Sequence, residues 1–257
     1  MSLQCAILAG GLGTRLGALA KARPKALLPI AGRAFVDYQL DWLAANDVGS
    51  VVFCIGHLGR QIVDHVGDGG RFGLAVRYVE DGERPRGTAG ALRRALDAGV
   101  LGEAFCVLYG DSFLPIRVAP VFAAFRASGA AALMTVMRNE NRWDRSNVVF
   151  RTPRVALYDK EADAATRAGM THIDYGLSVL SRALIAERVP DDGAYDLADL
   201  FRDLSRSGEL AGYEVDERFY EIGSPAGIAD FTRYVAGLSE AADAPPGRAL
   251  DKPPGAF

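Results

Sequence analysis

The sequence has few cysteines and histidines and little net charge. It contains three cysteines and three histidines, and its formal net charge is −3 over 257 residues. Three widely separated cysteines give neither a disulfide framework nor the paired spacing of a zinc site. A chain this close to neutral has no overall field that would hold nucleic acid. Any recognition of phosphate must therefore come from local cationic groups, and no nucleic-acid partner is expected.

The cysteines and histidines are expected to be structural or solvated. Cys5, Cys54 and Cys106 each lie in an apolar run that is typical of a buried strand. Thiols in such runs usually behave as small core residues. The histidines, at positions 57, 65 and 172, have no Cys or His cluster near them and are not predicted to bind metal.

Long hydrophobic runs are absent too. No apolar run approaches the roughly 20 residues that a membrane-spanning helix needs. Residues 1–5 lack the charged and then apolar pattern of a signal peptide. We therefore expect a cytoplasmic protein without a membrane partner.

The first half alternates short apolar runs with helix-like spacing. The predicted strands are 3–8, 50–55, 75–79, 104–109 and 131–136. The predicted helices between them are 35–46, 58–66, 88–98 and 118–128. This alternation favours an α/β fold with a mostly parallel central sheet and helices on both faces.

The pattern changes after residue 137 towards a smaller lobe of mixed strands. The predicted strands there are 147–150, 154–158, 171–180 and 210–222, and the predicted helices are 182–187, 196–207 and 225–238. No linker rich in Pro, Gly or Ser separates the two parts, so one domain over 1–238 is expected. Residues 239–257 are proline-rich and unpatterned, which predicts a disordered tail.

A glycine-rich turn follows the first predicted strand. It reads Ile-Leu-Ala-Gly-Gly-Leu-Gly-Thr-Arg-Leu from residue 7, and Arg-Pro-Lys-Ala-Leu-Leu-Pro-Ile follows from residue 23. Glycines let backbone N–H groups approach a polyphosphate closely. Arg15 can grip phosphate oxygens through its planar fork, and Lys25 adds a compact charge. The segment therefore predicts a cradle for a polyphosphate.

Two carboxylates follow other strands and suit a divalent cation. Ligands of doubly wound sheets bind outside the carboxyl ends of the strands, and Asp111 directly follows the strand 104–109 and Gly110. Mg²⁺ typically takes one or two carboxylates together with substrate phosphates. Glu221 ends a predicted strand and is the candidate partner of Asp111. The pair predicts a Mg²⁺ site.

A further carboxylate and a helix start follow the third strand. Gly87 and Thr88 open a predicted helix, where free backbone N–H groups could contact a ligand. Glu80 could accept from the adjacent N1–H and N2–H₂ donors of guanine, which favours that base. In the second half, Asp159 and Lys160 offer a hydroxyl acceptor beside a phosphate-binding cation. Asp174 and Tyr175 lie where a strand could present polar groups to a sugar.

These motifs together resemble the signature of sugar-1-phosphate nucleotidylyltransferases. The glycine turn with Lys25, Glu80 with Gly87-Thr88-Ala89-Gly90, Gly110-Asp111, Asp159-Lys160 and Glu221-Ile222-Gly223 occur in that family's order. The resemblance spans residues 3 to about 237. It implies a Rossmann-like nucleotidyltransferase fold, a Mg²⁺ cofactor, and the condensation of an NTP with a sugar 1-phosphate to an NDP-sugar and pyrophosphate. Members often form homo-oligomers.

The resemblance also implies roles for residues. Residues assigned to the nucleotide are Leu8, Ala9, Gly10, Gly11, Gly13, Thr14, Arg15, Glu80, Gly87 and Thr88. Arg15 would hold the β- and γ-phosphates, and Lys25 would bridge the α-phosphate and the sugar phosphate. Asp111 and Glu221 would hold Mg²⁺. Residues assigned to the sugar phosphate are Lys25, Asp159, Lys160, Asp174 and Tyr175, and Arg15, Lys25 and Asp111 form the catalytic set.

The chain departs from the family pattern at three positions. Glu221 replaces the usual Asp, Asp159 the more frequent Glu, and Ala26 a usual Pro. Segments 145–150 and 170–176 resemble heptose 1-phosphate guanylyltransferases, which favours GTP and D-glycero-D-manno-heptose 1-phosphate. Two alternatives stay open. One is a cytidylyltransferase acting on a polyol or amino-alcohol phosphate, and the other is a catalytically silent protein that binds nucleotide sugars.

Overall fold

The architecture is that of a computed structural model, which describes residues 3–11, 13, 16, 22–82 and 84–243. The strands are β1 (Leu3–Ala9), β2 (Pro29–Ile30), β3 (Arg33–Ala34), β4 (Val48–Ile55), β5 (Ala75–Glu80), β6 (Ala104–Tyr109), β7 (Ser112–Phe113), β8 (Ala132–Arg138), β9 (Val148–Arg151), β10 (Arg154–Tyr158), β11 (His172–Ser181), β12 (Leu210–Val215) and β13 (Tyr220–Glu221). The helices are α1 (Phe35–Ala45), α2 (Gly59–Val66), α3 (Gly87–Asp97), α4 (Val118–Ser128), α5 (Ala164–Arg167), α6 (Arg182–Arg188), α7 (Leu197–Arg206) and α8 (Pro225–Asp243).

The central sheet has nine strands in the order β5-β4-β1-β6-β11-β8-β12-β10-β9. The neighbouring pairs β5–β4, β4–β1 and β1–β6 are parallel, as predicted from the alternating pattern. β8 was expected to continue that parallel set. Instead β11 lies between β6 and β8 and runs antiparallel to both. A strand from the second half of the chain is thus built into the sheet of the first.

The second half forms a closed ring rather than an open lobe of mixed strands. Residue 172 of β11 pairs with residue 148 of β9, so that strands β11, β8, β12, β10 and β9 close on one another. Gly212 permits this curvature, because a Cβ there would lie 2.5 Å from the ring of Phe150. The α/β fold is confirmed, and the expectation of a mostly parallel sheet beside a small lobe of mixed strands is corrected, because the mixed strands belong to the central sheet and close into a ring.

Helices cover both faces of the sheet because strand side chains alternate. Cys5 and Ile7 pack in one core layer with residues of α1, α2 and α4. Ala6 packs in the other layer with residues of α3, α6 and α7. All three cysteines are buried, as predicted, and burial raises the pKa of Cys54 and Cys106 to about 12.

The predicted strand 210–222 is two strands in the structure. β12 ends at Val215, and β13 leaves the sheet to pair antiparallel with β7, which follows β6. The final helix continues to residue 243, so the first five residues of the predicted disordered tail are helical, and 244–257 lie outside the described residues. No helix in the described ranges is long and apolar enough to cross a membrane.

Candidate active site

A cavity of about 440 Å³ opens at the carboxyl ends of β1 and β6. Its wall is formed by the glycine turn, Lys25, the turn Tyr109–Asp111, the start of α3, and two aspartates, Asp81 and Asp196. Most of the predicted nucleotide-binding residues therefore line one space. Thr14 and Arg15 lie outside the described residues, and so does Leu12.

The glycines of this wall serve two different purposes. A Cβ on Gly10 would lie 2.6 Å from Asp81 Oδ2, and one on Gly110 would lie 2.9 Å from the carbonyl oxygen of Leu8. These glycines let neighbouring strand ends approach each other. Gly11 has nothing within 4 Å of its Cβ position among the described residues. Its open face is where a ligand could come close to the backbone.

Lys25 and Asp111 form an ion pair at the cavity wall. Lys25 begins a short 3₁₀ helix, Lys25–Leu27, after the glycine turn. Its Nζ atom lies 2.8 Å from Asp111 Oδ2, and the two side chains are 18% and 28% exposed. A Cβ on Gly223 would lie 3.5 Å from Asp111 Oδ2. The structure thus brings together two residues that are 86 positions apart, as the strand-end argument predicted.

Glu221 reaches this site through the pairing of β13 with β7. Glu221 lies opposite Ser112, and the N–H of Ile222 donates to the carbonyl oxygen of Asp111 at 2.9 Å. Within the described ranges, no group of three His, Cys, Asp or Glu side chains is placed to hold a metal. Asp111 lines the cavity and the backbone of Glu221 is paired beside it, a donor set that suits Mg²⁺ because this ion is usually completed by waters and substrate phosphates.

The carboxylate that faces the cavity after β5 is Asp81 and not Glu80. The side chain of Glu80 is exposed and is not part of the cavity wall. Asp81 continues the pairing of β5 with β4, because its N–H donates to the carbonyl oxygen of Ile55 at 2.9 Å. Burial raises the pKa of Asp81, and Arg94 and Arg86 partly offset that effect. Sequence reasoning missed Asp81 because neighbouring residues of a strand point to opposite sides.

The backbone N–H groups at the start of α3 are not free. The N–H of Thr88 donates to Asp196 Oδ1 at 2.9 Å, and those of Ala89 and Gly90 donate to the carbonyl oxygen of Tyr195. The helix begins at Gly87, one residue before the prediction. A segment more than 100 residues away therefore occupies the N–H groups of Thr88, Ala89 and Gly90. Gly87 and Thr88 line the cavity, and a ligand contact at this helix start stays a prediction.

The structure brings together only some of the residues that were predicted to bind the sugar phosphate. Burial raises the pKa of Asp174, and Lys160 lowers it, which places these two side chains near each other. Lys160 Nζ also lies 5.6 Å from the ring centroid of Tyr109, which lines the cavity. Asp159 is bound instead by Arg206 at 3.2 Å, and its other oxygen accepts the N–H of Glu161 at 2.9 Å.

Tyr175 does not belong to this group. It is 1% exposed and packs edge-on against Phe219 in the core. Tyr109 was predicted to be an ordinary strand residue. In the structure it lines the cavity. Its pKa is raised by burial and by four surrounding carboxylates, those of Asp174, Asp111, Asp196 and Glu221. No local signal marks Tyr109, because the four carboxylates come from distant segments.

The fold and cavity define a nucleotide-binding α/β protein. Residues 5–190 match the family of MobA-like NTP transferase domains, and the chain belongs to this family. It is 26% identical to a UTP–glucose-1-phosphate uridylyltransferase of Synechocystis over 92% of this chain and 63% of that protein. It is 28% identical to a mannose-1-phosphate guanylyltransferase of Mycobacterium tuberculosis over 90% of this chain and 65% of that protein.

A third relative is similar in length. The chain is 27% identical to an N-acetylmuramate alpha-1-phosphate uridylyltransferase of Caulobacter vibrioides over 85% of this chain and 91% of that protein. Among solved structures, HddC from Yersinia pseudotuberculosis complexed with GMP-PN superposes with a TM-score of 0.74 at 21% identity, covering 91% of this chain and all of that one. That likeness shows a shared fold. The chain spans just under two thirds of the length of several curated relatives.

Proposed function

We propose that the protein transfers a nucleotidyl group from an NTP to a sugar 1-phosphate and releases pyrophosphate. The Lys25–Asp111 pair beside the open face of Gly11 is the observation that carries this proposal. A cation and a carboxylate at the wall of the same cavity as the glycine turn support the binding of a triphosphate and a divalent cation there. The curated relatives named above carry out the same type of reaction on different substrates.

The reaction needs positioning and charge neutralisation rather than a covalent intermediate on the protein. An oxygen of the sugar phosphate attacks the α-phosphorus in line, the bond from the α-phosphorus to the bridging oxygen breaks, and pyrophosphate leaves. A phosphate monoester is already a competent nucleophile, so no general base is required. Lys25 at the cavity wall and Lys160 near Tyr109 would supply positive charge, and Arg15 is assigned the β- and γ-phosphates by the family resemblance.

Asp111 and Glu221 are the residues that would hold Mg²⁺. When bound there, the ion would neutralise charge on the triphosphate. The ammonium group of Lys25 lies on Asp111, which holds the cation at the cavity wall where it would contact the phosphates of the nucleotide.

GTP is the nucleotide that we favour, with a manno-heptose 1-phosphate as the acceptor. Asp81 takes over the role that the sequence assigned to Glu80, because its carboxylate lines the cavity and can accept from the two adjacent N–H donors of guanine. The complex of HddC with GMP-PN and the guanylyltransferase among the relatives support this choice. The sugar rests on the resemblance of segments 145–150 and 170–176 alone.

The test is pyrophosphate release with each NTP and a panel of sugar 1-phosphates, including the heptose. The proposal predicts release with at least one pair and the fastest release with GTP. Fast turnover with CTP and a polyol phosphate would favour the cytidylyltransferase alternative. Lys25→Met should lose the activity, whereas Arg60→Ala, which removes an exposed cation paired with Asp64, should keep it. Nucleotide-sugar binding without release under any condition would favour the silent alternative.

A further inference from the structure

Asp196 enters the cavity wall from the second half of the chain. It immediately precedes α7, and its carboxylate reaches the start of α3. Asp196 Oδ1 accepts from the N–H of Thr88 at 2.9 Å and from the Thr88 hydroxyl at 3.2 Å. The same hydroxyl oxygen accepts from the N–H of Leu197 at 2.7 Å. Two hydrogen bonds to Oδ1, together with a third that holds the Thr88 hydroxyl, therefore fix the orientation of the carboxylate.

The backbone around Asp196 is held on both sides. The carbonyl oxygen of Tyr195 accepts from two N–H groups of α3, and the N–H of Tyr195 donates to the carbonyl oxygen of Arg86 at 2.9 Å. Gly87 makes this close contact possible, since it has a φ of 70° and a Cβ there would lie 2.6 Å from the Tyr195 oxygen. The carboxylate is thus positioned before any ligand arrives.

Asp196 lines the cavity. Within the described part of the chain it forms no ion pair, and the hydrogen bonds of its side chain use Oδ1, which leaves Oδ2 for a ligand. The oxygens of a carboxylate accept hydrogen bonds, and a carboxylate at this helix end disfavours the approach of a phosphate. The complementary ligand group is therefore a donor, such as a hydroxyl.

We infer that Asp196 binds a ring hydroxyl of the substrate through Oδ2 and so determines specificity. This inference rests on the proposed function, in which the hydroxyl belongs either to the ribose of the nucleotide or to the sugar 1-phosphate. Thr88 positions the carboxylate. A sugar or ribose that lacks the hydroxyl would leave the charged oxygen without a partner, which disfavours that substrate.

Two substitutions separate hydroxyl binding from capping of α3. Asp196→Asn can keep an amide oxygen on Thr88 while it replaces the cavity-facing oxygen with an NH₂ donor. Asp196→Ala removes both interactions. Ser181→Ala is the matched control, because Ser181 caps α6 by accepting the N–H of Leu184. If Asp196 were only a cap, Asp196→Asn would behave as the wild type.

The experiment compares kcat/KM for the complete substrates with kcat/KM for 2′-deoxy- and 3′-deoxy-NTP and for monodeoxy sugar 1-phosphates. We expect one of these analogues to be disfavoured by roughly ten- to a hundredfold in the wild type. Both Asp196 variants should lose that preference, and Ser181→Ala should retain it. The analogue that shows the effect identifies ribose or sugar as the source. Equal losses with every substrate, or an unchanged preference in Asp196→Asn, would overturn the inference.

The inference can fail separately from the proposed function. If no substrate pair turns over, the proposed function fails. The same comparison is then made by calorimetric binding of each nucleotide, and of each sugar phosphate in the presence of a non-hydrolysable NTP analogue. A hydroxyl preference that disappears in Asp196→Asn would support the role of Asp196 even then. Binding that is indifferent to every hydroxyl would overturn it.

Discussion

Replacing Lys25 by methionine tests the ion pair at the centre of the site. The Nζ and Oδ2 atoms of the pair are 2.8 Å apart, and both side chains are largely buried. With an effective dielectric constant near 20, two unit charges at that separation attract by about 6 kcal/mol. Desolvation and the ordering of the lysine side chain offset most of this attraction. A net contribution of about 1–2 kcal/mol to the free energy of unfolding remains.

The assay is a double-mutant cycle. Lys25→Met keeps much of the side-chain length, and Asp111→Asn keeps the shape of the carboxylate. Urea unfolding followed by circular dichroism gives the free energy of unfolding of the two single variants and the double variant. We expect each single variant to lose about 1–2 kcal/mol and the coupling free energy to be about 1 kcal/mol. The double variant should therefore lose less than the sum.

The exposed pair of Arg60 and Asp64 is the control. Its side chains are 81% and 61% exposed, so its coupling should not exceed about 0.5 kcal/mol. A coupling between Lys25 and Asp111 that is no larger than this control would refute the geometry of the site. Activity provides a second readout, because Lys25→Met should lower kcat by about 10²–10³-fold. A stability loss of 1–2 kcal/mol leaves nearly all of the protein folded and cannot explain such a decrease.

Three further predictions concern the walls of the cavity. Gly10→Ala should displace the Asp81 carboxylate and weaken the discrimination between nucleotide bases. Gly11→Ala should preserve the free energy of unfolding but weaken nucleotide binding. Calorimetry measures these effects in each variant. Gln39 is buried, and its Nε2 atom donates to the carbonyl oxygens on either side of the Gly110-Asp111 turn at 3.0 and 2.8 Å. Gln39→Met should therefore lower the free energy of unfolding by about 1–3 kcal/mol and weaken Mn²⁺ binding in an EPR titration, and unchanged Mn²⁺ affinity would contradict a role in positioning the turn. Because burial raises the pKa of Asp81 above its ordinary value of 3.8, the ionised form is disfavoured by folding. Asp81→Asn should thus stabilise the protein at pH 7, and the gain should shrink as the pH falls through the raised pKa towards that ordinary value.

Local patterns predicted most elements and the central pair of the site. The parallel strands β5, β4, β1 and β6 follow from their apolar runs, and Asp111 follows from the rule that ligands bind at strand ends. Lys25 was selected as a cation that follows the glycine turn. The insertion of β11 between β6 and β8 could not be predicted, because strand order depends on pairings between residues far apart in the chain. The closed ring depends in turn on that order.

The site residues that were missed or wrongly assigned depend on the three-dimensional arrangement of the chain rather than on their neighbours in the sequence. Asp196 acts through hydrogen bonds to Thr88, which is 108 positions away, and nothing in its neighbourhood marks it. The choice of Glu80 over Asp81 depends on which side of the strand end faces the cavity. Tyr175 was placed at the sugar beside Asp174, but adjacent strand residues face opposite sides, and Tyr175 lies in the core. Glu221 was selected because it ends a predicted strand, and the family resemblance strengthened that choice.

The most direct test of the proposed reaction follows the phosphate atoms. The protein is incubated with a sugar 1-phosphate and GTP labelled at either the α- or the γ-phosphate, and the products are separated by chromatography. The account predicts that the α-label appears in the nucleotide sugar, that the γ-label appears in pyrophosphate, and that Lys25→Met slows the appearance of both to the same extent. Appearance of the γ-label in the sugar product, or no transfer of α-label from any of the NTPs to any sugar phosphate, would contradict it.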